Sequence, residues 1–122
     1  MPENYLGIDF GTSTTLVSFC DVKGVPHILP INGRRYLDST IHFNKAGTLS
    51  SVGQRRMGNQ PITNGLLVSE FKLDLGKPPD KRQIWQVGEI KIDAREAAGI
   101  ILNYVHNAVK KSSLGEQTEV VL

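Results

Sequence analysis

A short segment near the start of the chain carries residue types that bind phosphate. The run Gly-Ile-Asp-Phe-Gly-Thr-Ser-Thr-Thr lies there between two apolar stretches. A tight turn can aim consecutive backbone N–H groups into a concave nest that holds anions, and Gly11 permits unusual backbone angles and close approach of a ligand. Thr12, Ser13 and Thr14 add hydroxyl donors without charge. Asp9 stands where a strand ends, and a carboxylate there can hold Mg²⁺ through the water molecules that this ion retains.

Two other phosphate-binding motifs do not fit this segment. It lacks the Gly-Lys-Ser/Thr of a Walker loop, and the apolar run that follows it indicates a strand rather than a helix. The Gly-x-Gly-x-x-Gly fingerprint of dinucleotide-binding folds is also absent. The alternative to a phosphate loop is therefore a polar hairpin turn between two core strands, which needs no ligand.

A second segment, Phe-Lys-Leu-Asp-Leu-Gly at residues 71–76, suggests a family. It resembles the segment of DnaK-type chaperones, the heat shock protein 70 class, that carries an essential lysine, and its distance from the first segment fits that family. The first segment is similar to the first phosphate loop of the wider actin, sugar-kinase and heat-shock ATPase superfamily. Other stretches resemble the chaperone family in the same order along essentially the whole chain: residues 32–35 with 39–41, residues 52–59, and residues 93–122.

This resemblance implies an α/β fold of the RNase H/actin-like ATPase class, of which the chain would be the first lobe. We expect a mixed sheet that begins with an antiparallel meander, with helices packed on it. Residues 1–122 would form the N-terminal part of a nucleotide-binding ATPase domain, with a small outer subdomain inserted over about residues 36–92.

The resemblance also implies a site for ATP or ADP with Mg²⁺. Asp9 matches the aspartate that holds Mg²⁺ through water, and residues 11–14 match the loop that donates to the β- and γ-phosphates. Thr12 would also lie near the attacking water. Lys72 matches the lysine that orients this water, and a compact ammonium at a strand end offsets the negative charge that develops in phosphoryl transfer. The alternative for Lys72 is a solvated lysine at the end of a strand.

By the same resemblance, the full-length protein would be an ATPase that drives cycles of unfolded-peptide binding and release, and this stretch alone would be inactive. Unfolded polypeptides, a J-domain co-chaperone and a nucleotide-exchange factor would be its partners, through parts outside this chain. Two alternatives stay open. One is another superfamily member, a sugar or acetate kinase or a filament-forming protein. The other is a stand-alone binding fragment.

Three features depart from the family pattern and indicate a divergent member. Asp38 stands where the family usually has proline. Leu73 replaces the arginine that commonly follows the lysine. Residues 77–86 form a shorter stretch than in typical members, which predicts a reduced outer subdomain.

The elements that must position these residues follow from local patterns. We predict strands over residues 5–10, 16–21 and 25–31, and the last of these contains two prolines, as is typical of an edge strand. Asp93 with Glu96 forms a capping-box pattern that begins a helix over residues 94–112. Further predictions are strands at residues 41–43 and 49–52, a short helix at 53–59, and a strand or hairpin arm at 85–92. Residues 66–73 are an apolar stretch interrupted by Glu70 and Lys72, in which we expect Lys72 at a strand end. A strand begins at residue 119 and the chain stops within it, so we expect a fragment.

Composition narrows the classes of function. The net charge of +2 and 21% charged residues favour neither a nucleic-acid partner nor a membrane surface. The single cysteine, Cys20, excludes an internal disulfide and indicates a reducing, cytoplasmic location, and its apolar neighbours predict a core position. The first residues lack a basic region followed by an apolar one, so we expect no secretory signal, and no apolar stretch is long enough to predict a membrane span. The three histidines are not at metal-ligand spacing, so we expect no metal site made of protein ligands alone.

Overall fold

A computed structural model describes residues 4–57, 60–61, 64–111 and 118–121 of the chain. These residues form a mixed α/β protein with mainly antiparallel sheets, one α-helix and two short 3₁₀ helices. The 3₁₀ helices cover Phe71–Asp74 and Pro79–Lys81, and the α-helix is α1 (Ala94–Lys110). The strands are β1 (Asn4–Phe10), β2 (Thr14–Cys20), β3 (Pro26–Ile28), β4 (Leu37–Asp38), β5 (Thr40–Phe43), β6 (Leu49–Val52), β7 (Arg56–Met57), β8 (Gln60–Pro61), β9 (Leu66–Ser69), β10 (Trp85–Val87), β11 (Ile90–Ile92) and β12 (Thr118–Val121).

The glycine- and threonine-rich segment joins the two central strands of the first sheet, whose order is β12-β1-β2-β3. β1 and β2 form an antiparallel hairpin in which Asp9 lies opposite Leu16, and β3 continues the antiparallel order. β12 pairs with β1 in parallel. β4 pairs with the first residues of β2, with Asp38 opposite Thr14. The predicted antiparallel meander is therefore confirmed, and β12 makes the sheet mixed.

A second sheet, of order β6-β5-β9, lies within the region predicted as an outer subdomain. Its central strand β5 is buried at all four positions, as expected for a strand covered on both faces. The β10–β11 hairpin follows in the same region, as the sequence allowed, with Trp85 opposite Ile92. Whether residues 36–92 behave as a separate subdomain stays a prediction.

The helix α1 connects the two sheets through its buried face. The predicted capping box is present, since the Asp93 carboxylate accepts from the Glu96 N–H at 3.0 Å and the Glu96 side chain accepts from the Asp93 N–H. The first of these bonds lowers the pKa of the Asp93 carboxyl. Ala94, Ala97 and Ile101 pack into one core cluster with the second sheet, whereas the later residues Val105 and Val109 pack into another with the first sheet.

Three local predictions are wrong. The helix predicted at residues 53–59 is instead a turn followed by β7, because Gly53 has a φ of 84° and its N–H donates to the Thr40 carbonyl. Gly58 and Asn59 lie outside the described residues. Cys20 is exposed, since it ends β2 opposite Pro26 at the sheet margin. Lys72 is not at a strand end, because β9 stops at Ser69, where Glu70 adopts a left-handed φ of 55° and a 3₁₀ helix begins. We expected several helices packed on the sheet. The described part of the chain contains one α-helix, α1, besides its short 3₁₀ helices.

Candidate functional site

The turn at residues 11–14 is closed by a short backbone hydrogen bond. The Gly11 N–H donates to the Thr14 carbonyl at 2.9 Å. A Cβ atom at Gly11 would lie 2.6 Å from that carbonyl oxygen, which is closer than real Cβ contacts. Glycine is therefore required here for space. The left-handed backbone angles that the sequence suggested are not the reason, because Gly11 is not among the residues with positive φ.

Ser39, which follows β4, holds this turn from the outside. Its N–H donates to the Ser13 carbonyl at 2.8 Å, and its hydroxyl donates to the Gly11 carbonyl at 2.8 Å. The same hydroxyl lies 2.9 Å from the Thr15 hydroxyl, and both side chains are 1% exposed. Burying the Ser39 and Thr15 hydroxyls would be costly without these hydrogen bonds. The bonds hold the turn against Ser39, which lies more than 20 residues later in the chain.

Several donors of the turn have no partner in the described part of the chain. The backbone N–H groups of Thr12 and Ser13 make no hydrogen bond there, and neither do the hydroxyls of Thr12, Ser13 and Thr14. Thr12 is half-buried, whereas Ser13 and Thr14 are exposed. Two consecutive free N–H groups with adjacent hydroxyls are the donor set that an anion requires.

Asp9 lies one residue before the end of β1, next to this turn. Its carboxylate is exposed and forms no ion pair or hydrogen bond with the residues that the structure describes. These residues contain no group of three His, Cys, Asp or Glu side chains that could hold a metal ion. Asp9 could therefore contribute only one carboxylate to a cation, and the remaining ligands would have to be water or phosphate oxygens.

Lys72 reaches the same place from a distant part of the chain. Its ammonium group donates to the carbonyl of Phe10, from which it is separated by 62 residues. The lysine lies in the 3₁₀ helix Phe71–Asp74, after β9 has ended at Ser69, and not at a strand end as predicted. Its neighbour Phe71 is 1% exposed and packs edge-on against the Phe10 ring, with ring centroids 6.0 Å apart. This aromatic pair brings the lysine to the end of β1.

The 3₁₀ helix that carries Lys72 is anchored at its other end by Asp74. The Asp74 carboxylate accepts from the Lys77 ammonium at 2.8 Å and from the Gln83 N–H at 2.7 Å. The hydrogen bond from Lys77 and then that from Gln83 lower the pKa of the Asp74 carboxyl, against the opposing effect of its burial. Both ends of the short helix are thus held in place.

A cavity of about 420 Å³ lies beside Asp9 and Lys72. Its other walls are apolar and come from β1, the residues after the 3₁₀ helix, and α1: Ile8, Phe10, Leu75, Ala98 and Leu102. A larger cleft of about 520 Å³ lies elsewhere, among arginines of the β4 and β6–β7 region. We place the candidate site at the smaller cavity because Asp9 and Lys72 both line it and Phe10, a third lining residue, directly precedes the turn at residues 11–14.

The structure therefore brings Asp9 and Lys72 to one cavity, and Lys72 contacts the carbonyl of Phe10, the residue before the turn at residues 11–14. The residues of the turn itself do not line that cavity. The roles assigned to them stay predictions. Sequence reasoning missed the positioning residues Ser39 and Phe71. The pattern contained a weak signal for Ser39, since a serine and a threonine stand together where β5 begins. Neither helix spacing nor composition indicated that Leu102 lines a cavity.

Comparison with known proteins does not assign this site. No protein-family model matches the chain, and no curated protein is similar to it at a significant level. Among the described residues, the only helix of several turns, α1, is not long and apolar enough to span a membrane.

Proposed function

We propose that this chain forms one wall of an Mg²⁺-nucleotide site in an ATPase of the actin-like class, from a DnaK-type chaperone. The observation that carries the proposal is the contact of the Lys72 ammonium with the Phe10 carbonyl. The contact holds a cation at the residue before a turn with unpaired donors, and Lys72 lines the same cavity as the free Asp9 carboxylate. A lysine with a purely structural role needs neither free donors nor a free carboxylate nearby. A phosphoryl-transfer site uses a cation, hydrogen-bond donors and a carboxylate together.

The donor set fits the phosphates of a nucleotide. The N–H groups and hydroxyls of Thr12 and Ser13 would bind phosphate oxygens, and Asp9 would accept hydrogen bonds from the water shell of Mg²⁺. Lys72 would orient a water and stabilise charge on the terminal phosphate. Bound Mg²⁺ would neutralise part of the negative charge of the phosphates. Thr12 is the residue of the turn that we assign next to the attacking water.

The finer parts of the proposal rest on the resemblance. They are the RNase H/actin-like fold with this chain as its first lobe, the outer subdomain at about residues 36–92, and cytoplasmic location. They also include ATP-driven binding and release of unfolded polypeptides, with a J-domain co-chaperone and a nucleotide-exchange factor as partners. The mixed sheet with its antiparallel meander supports the fold assignment.

The proposal is tested by titrating Mg²⁺ with ADP or ATP into the ¹⁵N-labelled chain and following amide resonances. We expect shifts centred on residues 9–14 and 72. The affinity is expected to be weak, in the high-micromolar range or worse, because the described donors would contact the nucleotide from one side only. For the same reason, the chain alone is expected to show no ATP hydrolysis.

A matched pair of variants sharpens this test. Gly11→Ala should abolish the nucleotide-dependent shifts, because the new Cβ would lie 2.6 Å from the Thr14 carbonyl oxygen. Gly99→Ala is the control, since Gly99 lies on the exposed side of α1 with no atom within 4 Å of an added Cβ. Equal nucleotide-dependent shifts in both variants, or shifts confined to residues outside the site, would refute the assignment.

Lys72→Ala separates binding from chemistry. The charge of Lys72 is proposed to matter most in the transition state, so the variant should retain most nucleotide binding by the chain. In a longer form of the protein that hydrolyses ATP, the same variant should lose nearly all hydrolysis in single-turnover measurements. Hydrolysis at the wild-type rate would show that Lys72 is an ordinary surface lysine.

A further inference from the structure

Arg55 brings a second cation to the turn at residues 11–14. Its guanidinium nitrogen Nη2 lies 3.5 Å from the carbonyl oxygen of Ser13, which is 42 residues earlier in the chain. Within one residue, the nitrogen and the carbonyl oxygen are at most about 3.6 Å apart. Nη2 of Arg55 therefore lies within about 7 Å of the Ser13 nitrogen. This separation is shorter than the Debye length of about 8 Å at physiological ionic strength, so an anion on the Ser13 N–H group would feel the charge of Arg55.

The backbone of Arg55 fixes this residue beside the turn. Its N–H donates to the Asp38 carboxylate at 3.0 Å. Asp38 in turn lies opposite Thr14, where β4 pairs with β2. Because the short bond to Asp38 is made by the backbone, it does not depend on the identity of the side chain at position 55. The charge of Arg55 can therefore be removed by substitution while the segment stays attached to β4.

Asp38 does not cancel the charge of Arg55. It is the carboxylate that pairs with Arg55 in the described part of the chain, at 3.9 Å, and it also pairs with Arg34 at 3.7 Å. One carboxylate thus faces two guanidinium groups, and both distances exceed the length of about 2.7–2.9 Å of a charge-assisted hydrogen bond. The Arg55 side chain is 35% exposed, so its donors remain accessible from solvent.

Two cations therefore flank the donors of the turn. The Lys72 ammonium donates to the carbonyl of Phe10, before the turn, whereas Arg55 approaches the carbonyl of Ser13, within it. The N–H groups of Thr12 and Ser13, which have no partner in the described part of the chain, lie between these two carbonyls along the backbone. A chain of phosphates can use both cations at once, because it is longer and more highly charged than a single phosphate.

We propose that Arg55 is a phosphate-binding residue of the nucleotide site, and that it favours ATP over ADP; this inference rests on the function proposed above. The planar guanidinium fork matches two oxygens of a terminal phosphate. Mg²⁺-ATP carries one more negative charge than Mg²⁺-ADP. In water, the attraction between unit charges about 7 Å apart changes an affinity about threefold. Arg55 thus acts on binding of the ground state, whereas the charge of Lys72 matters most in the transition state.

The test compares Mg²⁺-ATP with Mg²⁺-ADP in titrations of the ¹⁵N-labelled chain at constant ionic strength, followed through the backbone amides of residues 9–14. The ratio of the two dissociation constants is measured, because general damage to the turn would weaken both nucleotides alike. The wild-type chain should bind Mg²⁺-ATP more tightly. Arg55→Gln should lower this preference about threefold. Arg55→Lys keeps the charge and should retain most of the preference.

Arg35→Gln is the matched control. Arg35 belongs to the same arginine-rich region but is exposed, and it makes no hydrogen bond or ion pair with the residues that the structure describes. This variant should keep the wild-type preference. If both glutamine variants bind nucleotide with the same preference for ATP, the role of Arg55 is wrong and the nucleotide site itself stands. If the wild-type chain shows no nucleotide-dependent shifts at residues 9–14, both proposals are overturned.

Discussion

The packing of Phe71 offers a direct test of how Lys72 is positioned, through the substitution Phe71→Leu. Phe71 is 1% exposed, and its ring contacts that of Phe10 edge-on at an interplanar angle of 76°. Leucine keeps an apolar side chain at the position but removes the aromatic contact. The prediction therefore concerns both the stability of the chain and the place of the neighbouring lysine.

The expected cost follows from two contributions. Loss of an aromatic pair costs about 0.5–1.5 kcal/mol, and a hydrophobic exchange in a packed core typically costs up to about 1.5 kcal/mol more. We expect Phe71→Leu to lower the free energy of unfolding by about 0.5–3 kcal/mol. Urea denaturation followed by circular dichroism measures this value, with the slope of the transition checked for constancy.

Phe19→Leu is the matched control. Phe19 also has an aromatic neighbour, since its ring stacks on His27 at 5.2 Å, but Phe19 is only half-buried and His27 is exposed. The same exchange should therefore cost less than about 1 kcal/mol there, because little of the contact is removed from water. Equal costs for the two variants would refute the view that Phe71 is the packing residue of this segment.

The amide resonance of Gly11 reports on the second part of the prediction. Gly11 follows the Phe10 carbonyl that accepts from Lys72, so loosening of the 3₁₀ helix should shift this resonance in Phe71→Leu. In Phe19→Leu the resonance should not move. An unchanged Gly11 amide in Phe71→Leu would show that the lysine contact does not depend on the aromatic pair.

Further predictions concern the helix and the acidic anchors. Ile101→Ala should cost about 2–5 kcal/mol in urea denaturation, because Ile101 is 0% exposed, whereas Leu102→Ala should cost less than half as much, because Leu102 is half-buried beside a cavity. Asp93→Ala should cost about 0.5–2 kcal/mol through loss of the cap, with the exposed Asp80→Ala near zero as control. The pKa values of Asp74 and Asp93 are lowered on folding, so their stabilisation is complete above the unfolded carboxyl pKa of about 4 and is lost as the pH falls through the folded values. A urea midpoint that is equal at pH 6 and pH 3 would contradict this, and Asp74→Asn should reduce the pH dependence.

Local signals in the sequence predicted the elements that depend on near neighbours. Asp93 and Glu96 lie three residues apart and form their capping box within a single turn, so the start of α1 was predicted correctly. The β1–β2–β3 meander likewise depends on short connections and alternating burial. The helix end was predicted at residue 112, which lies outside the described residues, whereas α1 ends at Lys110.

Features that depend on distant contacts could not be predicted in this way. The segment that begins at Gly53 has a composition that allows a helix. However, the Gly53 N–H donates to the Thr40 carbonyl, and Gly53 lies against the Leu37 side chain. No periodicity shows that Leu102 borders a cavity, because helical spacing places it on the same broad face as Ile101. The approach of Lys72 to Phe10 spans 62 residues, and only the resemblance to a family suggested it.

The way in which the turn at residues 11–14 is held bears on the alternative of a simple hairpin turn. A self-contained two-residue hairpin closes through hydrogen bonds between the first and last residues of its turn, while the two central N–H groups face water. Here the carbonyls of Gly11 and Ser13 accept from Ser39, which follows 28 residues after Gly11, and the N–H groups of Thr12 and Ser13 have no partner in the described part of the chain. The acceptors are thus occupied from within the protein and the donors are left over. The tie to Ser39 goes beyond what a hairpin turn requires, and it leaves the central donors accessible to an anion, which is compatible with the phosphate interpretation.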